Sequence, residues 1–403
     1  MLSVAEAQAL ILQHAQPLAA VRVPLDQVQG LVLAEDVACD RDSPPFDKAL
    51  MDGYAVRSAD LAPGGGAVTV IEEVLAGQVP QRTVAAGQAT RIMTGAPVPA
   101  GADAVVPVER TRSLDEQQVQ IDDQPSPGRN IFRRGQEMHQ GETVLTAGTL
   151  IQPQVVGLLA NLGRAMVHVQ PRPTVAVLPT GDELVEVGET PGVGQIRNSN
   201  GPMLLAQVSR AGGTAQYLGI GRDRLDSLRP LVEQGLQASI LVLSGGVSAG
   251  KLDLVPGLLQ DLGVQAQFHK VAMKPGKPAF FGVWTRAGRT TLVFGLPGNP
   301  VSSLVCFELF VRPALRRLLG IVDAVPPTVP LPLAEPLTYA TDRPTYLPAR
   351  VDIGSTGWQV RAVPWQGSAD LRGLARTNAL IVVKAGEHRL AAGQVVPVQI
   401  VED

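Results

Sequence analysis

The chain has 403 residues with 34 basic and 37 acidic side chains, a net charge of −3, 45% hydrophobic and 4% aromatic content. That length exceeds one ordinary core, so two to four domains are expected. The charge argues against a duplex-binding surface, which needs a basic excess. Too few aromatics remain for a stacking platform on single strands, and no apolar run reaches membrane-spanning length.

In chain order, Met1 to Gln13 reads as part of an amphipathic helix rather than a signal peptide, with the helix expected over Val4 to Ala15. Leu25 to Gly30 and an apolar run at Leu31 to Val37 follow, and the proline turn Asp42-Ser43-Pro44-Pro45-Phe46 marks a boundary. From there to about Glu137, Gly, Pro and short runs such as Val68-Thr69-Val70-Ile71 and Ala104-Val105-Val106 predict a small β domain with tight turns. Leu150 to Leu162 reads as a helix and Ala165 to Val169 as a strand.

From Pro173 strands and helices alternate. Strands are expected at Thr174 to Leu178, Tyr217 to Ile220, Ser239 to Leu243, Gln265 to Ala272, Pro278 to Val283 and Thr290 to Phe294. Helices are expected at Asn200 to Ala211, Leu225 to Leu236, Leu254 to Leu262 and Val301 to Leu319. Continuous apolar strands with helical crossovers imply a mostly parallel sheet covered on both faces. After Gly320 a run of prolines (Pro326, Pro327, Pro330, Pro332) reads as a linker, and about Leu331 to Asp403 as a small β barrel or sandwich. Cys39 and Cys306, each in an apolar setting, argue against a disulfide framework and for a reducing cytoplasm. The five histidines show no zinc-type pairing, so a metal here would be a hard cation held by oxygen.

The chemistry-bearing segments fall at the carboxyl ends of the predicted strands, where open α/β sheets bind ligands. They are Pro179-Thr180-Gly181-Asp182-Glu183, Gly221-Arg222-Asp223, the stretch from Ser244, Gly245 and Gly246 to Asp253, and Gly295-Leu296-Pro297-Gly298-Asn299-Pro300. The last is a stiff strand-to-helix turn whose helix can be capped by Asn299 or Ser302, and whose free N–H groups suit an anion. Glu183, Asp223 and Asp253 would repel one another if desolvated together, and a divalent cation such as Mg²⁺ would relieve them. Amide-rich turns beside that ion would hold phosphate oxygens. Single helix caps remain an alternative for Asp182 or Asp223. No G-x-x-x-x-G-K-[ST] loop and no G-x-G-x-x-G is present, so P-loop hydrolysis and hydride transfer are poor readings.

Taken together, these segments resemble the MoeA family, the molybdopterin molybdenumtransferases related to one domain of gephyrin. The resemblance rests on Ala49 to Arg57 (ALMDGYAVR), Ile92 to Pro99 (IMTGAPVP), Gly101 to Val106 (GADAVV), Asn130 to Gly135 (NIFRRG), the Thr180 to Leu184 loop, Ser244 to Asp253, Lys274 to Pro278 (KPGKP) and the Gly295 to Pro300 turn. It implies four domains: an N-terminal α/β linker domain (1–41 plus 138–171), an inserted β domain (42–137), a doubly wound molybdopterin-binding α/β domain (172–322) and a C-terminal β-barrel-like domain (323–403). It also implies insertion of molybdate into adenylylated molybdopterin with release of AMP and dependence on Mg²⁺. The implied assembly is a homodimer with a shared active site, Asp52 and Thr94 reaching the partner's cleft.

By the same resemblance Asp52, Thr94, Glu183 and Asp223 are catalytic, and Glu183 and Asp253 bind metal. Thr180, Gly181, Ser244, Gly245, Gly246, Ser248, Lys274, Lys277, Pro297, Gly298, Asn299 and Pro300 line the ligand site. Arg133 and Arg134 either attract the anionic ligand or form a solvated face, and Arg350 and Ser368 match positions near the cleft. Glu137, Lys251 and Leu254 depart from the family pattern. The adenylyltransferase that supplies the substrate and acceptor molybdoenzymes are implied partners; nucleic acid and membrane are not. Two rivals remain: adenylyl transfer by the α/β domain itself, though stand-alone enzymes of that kind lack the module holding Asp52, and a non-catalytic gephyrin-like scaffold.

Overall fold

Apolar runs between Pro173 and Leu319 build a six-stranded sheet in the computed structural model, which describes residues 1–246, 254–355 and 357–401. Its strands are β1 (Thr174–Pro179), β2 (Thr214–Tyr217), β3 (Ile240–Ser244), β4 (Gln265–Phe268), β5 (Phe280–Arg286) and β6 (Arg289–Leu296). Their order is β2-β1-β3-β6-β5-β4. The β2/β1, β1/β3 and β3/β6 pairs are parallel, while β5 runs antiparallel to both neighbours. The β5–β6 hairpin closes through Ala287 and Gly288, both at positive φ, which is the twist a two-residue hairpin needs.

Helices cover both faces, and alternate strand residues point to each. Val175, Val177, Val242 and Phe294 face α1 (Val4–His14), α2 (Asn200–Arg210) and the last helix, meeting Ile11, Leu204, Val208 and Leu315. Ala176, Leu178, Leu241 and Val293 face α3 (Leu225–Gly235) and α4 (Leu254–Asp261), meeting Leu228, Val232 and Leu258. Each buried Leu, Val or Phe contributes about 1.5–3 kcal/mol, which secures a two-faced sheet. A capping box starts α1, with Ser3 Oγ accepting from the Glu6 N–H and Glu6 from the Ser3 N–H.

Two expectations shift. The second strand lies at Thr214–Tyr217, not Tyr217 to Ile220. It is an edge strand whose place is set by its ladder with β1, from Thr174↔Thr214 to Val177↔Tyr217, rather than by apolarity. The last helix is not uniform: α5 (Pro300–Cys306) and α6 (Arg312–Leu318) flank a π turn at Phe307–Val311. Pro313 lacks the N–H that would bond back to Leu309, and the Arg312 N–H instead reaches Phe307 O, five residues back.

The chain divides into two compact units, Met1–Glu35 with Ala147–Gly157 and Ala165–Asp403, and Asp36–Thr146 with Leu158–Arg164. In the first, residues after the α/β sheet form a five-stranded antiparallel sheet from Thr328–Pro332, Thr345–Gly354, Gly357–Ala362, Ala379–Val383 and Val395–Ile400, packed on Leu347, Ile381 and Val398. A separate antiparallel pair of Leu337–Thr341 with Gly386–Leu390 accompanies it.

The second unit holds a six-stranded sheet. Within it Gly53–Val56 lies between Gln88–Ile92 and Ala104–Pro107, antiparallel to both. A Cβ on Gly53 would stand 1.9 Å from Val106 O, so this close approach admits only glycine.

Candidate active site

β1 and β3 are the switch point of the sheet: the chain leaves β1 for β2 on one side and returns to β3 on the other. A crevice at the carboxyl ends of such strands is the expected ligand position. Beyond β1 the ladder continues as a bridge between Thr180 and Gly221, with Thr180 N–H donating to Ser244 O (2.9 Å) and Gly181 N–H to Gly221 O (3.0 Å). Gly245 N–H donates to Leu296 O (3.1 Å). The segments after β1, β2, β3 and β6 therefore meet at one end of the sheet.

Glycine permits this crowding. Gly245 has φ +96°, and a Cβ there would lie 2.5 Å from Thr180 O. A Cβ on Gly298 would make only an ordinary contact, 3.7 Å from the Gly245 Cα, so the β3 and β6 turns lie side by side without requiring glycine at 298.

The acids of this end are solvent-facing. Glu183 and Asp223 are exposed, and Asp182 and Asp223 each accept from the other's backbone N–H, at 3.1 and 3.3 Å. Asp182 thus braces two loops rather than capping a helix. Exposure also removes the premise that Glu183 and Asp223 are desolvated together; water screens their repulsion. Asp253, Ser248 and Lys251 lie outside the described residues, and among the described ones no three His, Cys, Asp or Glu side chains gather to hold a metal.

The turn after β6 differs from expectation. Asn299 occupies the N-cap position, yet neither it nor Ser302 caps the helix with its side chain; the Asn299 amide donates instead to Ser368 Oγ (2.9 Å). Pro300 has no N–H, Val301 N–H donates to Ser368 O (3.0 Å) and Ser303 N–H to Asn299 O (2.9 Å). The loop around Ser368 has taken a donor that an isolated helix start would leave for an anion. Pro297 and Pro300 restrict the turn, as expected of proline.

Lys274 and Lys277 are exposed. The backbone of Lys274 is clamped, its N–H on Pro344 O (2.9 Å) and its carbonyl accepting from Tyr346 N–H (2.8 Å), and its ammonium stands 5.8 Å from the Tyr339 ring centroid. Ordered backbone with a charged tip in solvent suits an anion contact. Arg350 is exposed on the strand Thr345–Gly354.

Asp52 and Thr94 sit in the other unit, and the sheet register brings them together. Gly53 pairs with Ile92, so Asp52 projects beside the Met93–Thr94 turn. One carboxylate oxygen of Asp52 accepts from both Thr94 Oγ1 (2.6 Å) and Thr94 N–H (2.7 Å). The hydroxyl first, then the amide, holds the Asp52 carboxyl below the usual carboxylate range. In the same unit Arg133 pairs with Asp47, Arg134 with Asp42 (2.7 Å), and Ser43 Oγ donates to Glu137 (2.9 Å). Both arginines already hold carboxylate partners.

Two residues escaped sequence reading. Arg222 Nη1 donates to the carbonyls of Gly181 (3.3 Å), Asp182 (3.2 Å) and Leu184 (2.7 Å), tying the loop that carries Glu183. Asn200 opens α2 and is 8% exposed. Its amide nitrogen donates to Ser244 Oγ (2.9 Å) and to Gly298 O (2.7 Å). The paired asparagines before a helix, Asn198 and Asn200, were the available signal; Asn198 accepts from the Gly201 N–H (2.9 Å).

Comparison with known proteins follows the same layout. Residues 2–163 match the MoeA N-terminal region (domain I and II), residues 176–317 a probable molybdopterin binding domain, and residues 330–401 the MoeA C-terminal region (domain IV). The molybdopterin molybdenumtransferase of Staphylococcus aureus strain Mu50 is 34% identical over 99% of this chain and 95% of its own. Molybdopterin molybdenumtransferase 2 of Mycobacterium tuberculosis strain H37Rv is 38% identical, covering 98% of each. A crystal structure of the molybdopterin biosynthesis MoeA protein from Pyrococcus horikoshii OT3 superposes with a TM-score of 0.85 at 29% identity, over 99% of this chain and 100% of that one. The order of the three matched regions and the end-to-end coverage are those of one architecture, and the chain belongs to the MoeA family.

Proposed function

We propose that this chain is a molybdopterin molybdenumtransferase that inserts molybdate into adenylylated molybdopterin, with AMP as the second product. The observation that carries this reading is the end-to-end similarity to relatives bearing that name, 34% and 38% identical. The site agrees with it in chemistry. Backbone turns at Gly181, Gly245 and Gly298 crowd the carboxyl ends of β1, β3 and β6, where an anionic, phosphate-bearing ligand is favoured.

Mg²⁺ belongs to the same proposal. It is commonly bound through one or two carboxylates completed by substrate phosphates, which suits a site whose described acids Glu183 and Asp223 are exposed. When bound, such an ion neutralises charge developing on phosphate oxygens. Glu183, with Asp253, would hold it, while Lys274 and Lys277 would offer cationic contacts to phosphate or molybdate. Asp52, kept ionised by Thr94, would act as an acceptor of protons or as a ligand, not as an acid. The proposed enzyme is a homodimer in which Asp52 and Thr94 of one subunit complete the partner's cleft. Buried free Cys39 and Cys306 support a reducing, cytoplasmic setting, and no helix among the described residues is long and apolar enough to cross a membrane.

The test is product analysis with adenylylated molybdopterin, molybdate and Mg²⁺. Release of AMP with formation of metal-loaded cofactor is expected, falling at least about 100-fold in Asp52→Ala. No AMP from the wild-type protein would sink the reading, and an AMP ester formed from free molybdopterin and ATP would establish adenylyl transfer in its place.

A further inference from the structure

The carboxyl-end turns after β3 and β6 bear the proposed ligand contacts, yet they come from strands joined far apart in sequence. The strands themselves are paired up to Ser244↔Leu296, and beyond that ladder a single buried side chain links the two turns. Asn200, the first residue of α2, reaches both: its amide nitrogen lies 2.9 Å from Ser244 Oγ and 2.7 Å from Gly298 O. Gly298 O is a carbonyl and can only accept, so the nitrogen must be the group that faces it. Ser244 is 2% exposed and Asn200 8%, which places the bridge out of water.

The neighbouring contacts leave little slack. Gly245 N–H is bonded to Leu296 O (3.1 Å), and a Cβ on Gly298 would lie 3.7 Å from the Gly245 Cα. The other end of Asn200 is unusual: its Oδ1 is buried without a hydrogen-bond partner among the described residues. Burying an unpaired amide acceptor is unfavourable. The side chain nevertheless stands where its nitrogen bolts two turns together, the pattern expected when a position is kept for the geometry of a site rather than for stability.

We infer that Asn200 is a positioning residue of the transferase site: its amide locks the Ser244–Gly246 turn to the Gly298–Asn299 turn at the spacing that receives the phosphate-bearing part of adenylylated molybdopterin. This deepens the proposed function and rests on it. In this role Asn200 acts through the two turns it joins rather than on the reacting atoms. Its loss acts on ligand binding, because walls no longer held at one spacing must be ordered at the expense of binding free energy.

The experiment compares wild type with Asn200→Leu, which keeps volume and removes both donors, and with Asn200→Gln, which keeps the amide one methylene further out. KM for adenylylated molybdopterin and kcat for AMP release are measured with molybdate and Mg²⁺, together with amide hydrogen exchange across residues 295–305. Expected are a rise in KM of about tenfold or more in Asn200→Leu with kcat within about twofold, a smaller rise in Asn200→Gln, and faster exchange confined to the turn. Unchanged KM and exchange in Asn200→Leu would overturn the inference, as would a loss confined to kcat. If Asn200→Leu does not fold, Asn200→Ser takes its place, with the same two outcomes deciding. Absence of AMP release by the wild type counts against the function itself and leaves the exchange measurement to judge the bridge.

Discussion

Asp52 shows how one residue's behaviour follows from a glycine and a threonine. Only glycine fits at position 53 against Val106 on one neighbouring strand, and the pairing of Gly53 with Ile92 on the other brings Thr94 alongside. Two hydrogen bonds from Thr94 then stabilise the charged carboxylate, lowering its pKa from the ordinary 3.8. The sign follows directly. A folded-state value below the unfolded one favours the ionised form, so its contribution is present above pH 3.8 and is lost as pH falls through the lowered value. Thr94→Val keeps the shape and the backbone donor but deletes the hydroxyl, the larger cause. The acid limb of kcat/KM should move to higher pH in this variant, with activity near neutrality largely kept; an unmoved limb would show that Asp52 titration does not govern it. The Asp52–Gly53 pair was legible in sequence through the Met51-Asp52-Gly53-Tyr54 motif, and the steric demand on Gly53 emerges only in the fold. Arg222 and Asn200 were not, because their partners are backbone carbonyls and a serine from distant segments.

The last helix shows the same division at the scale of an element. Its periodicity announces a helix from Val301 onward, but Pro313 removes a ladder donor and the turn Phe307–Val311 widens. The widened turn carries Glu308, fully buried, which accepts from Arg312 (3.0 Å), Gln207 (2.8 Å) and Arg210. Gln207 and Arg210 belong to α2, so this network ties the far end of the Asn200 helix to the helix that begins at Pro300. Removing one partner of a buried pair leaves an uncompensated charge. Glu308→Gln should therefore destabilise the fold by about 3 kcal/mol, read from urea denaturation. Replacing Glu308 and Arg312 together by leucine should restore part of that loss, since both fully buried charges vanish while Arg210, a third of its side chain exposed, turns to water. A single substitution within about 0.5 kcal/mol of wild type would contradict the account.

For the whole molecule the proposed homodimer makes a specific claim, that Asp52 of one subunit completes the other's cleft. Asp52 lies in the unit Asp36–Thr146 with Leu158–Arg164, and Glu183 in the other. If each cleft is completed by the partner, a heterodimer of one Asp52→Ala and one Glu183→Ala chain holds one doubly altered site and one intact site. Co-expression with two tags and isolation of that heterodimer should then recover about half of wild-type activity. If both acids serve the same chain's cleft, the heterodimer has no intact site and stays inactive. Two inactive parents and an active heterodimer are the expected result.

Sequence alone determined the alternation of strands and helices, the two-faced burial of Val175 to Leu178 and Ile240 to Leu243, and the placement of Gly-rich polar segments at strand ends. These follow from local periodicity and from the steric freedom of glycine, both written residue by residue. It equally specified the family, through short motifs spread along the chain. Tertiary structure decided what no local pattern holds: the edge-strand register of Thr214–Tyr217, the π turn, the use of Asn299 by Ser368 instead of as a cap, and the bridge from Asn200 to Ser244 and Gly298. Each of these is a choice of hydrogen-bond partner between segments distant in sequence, and only folding determines which donors and acceptors are left facing one another.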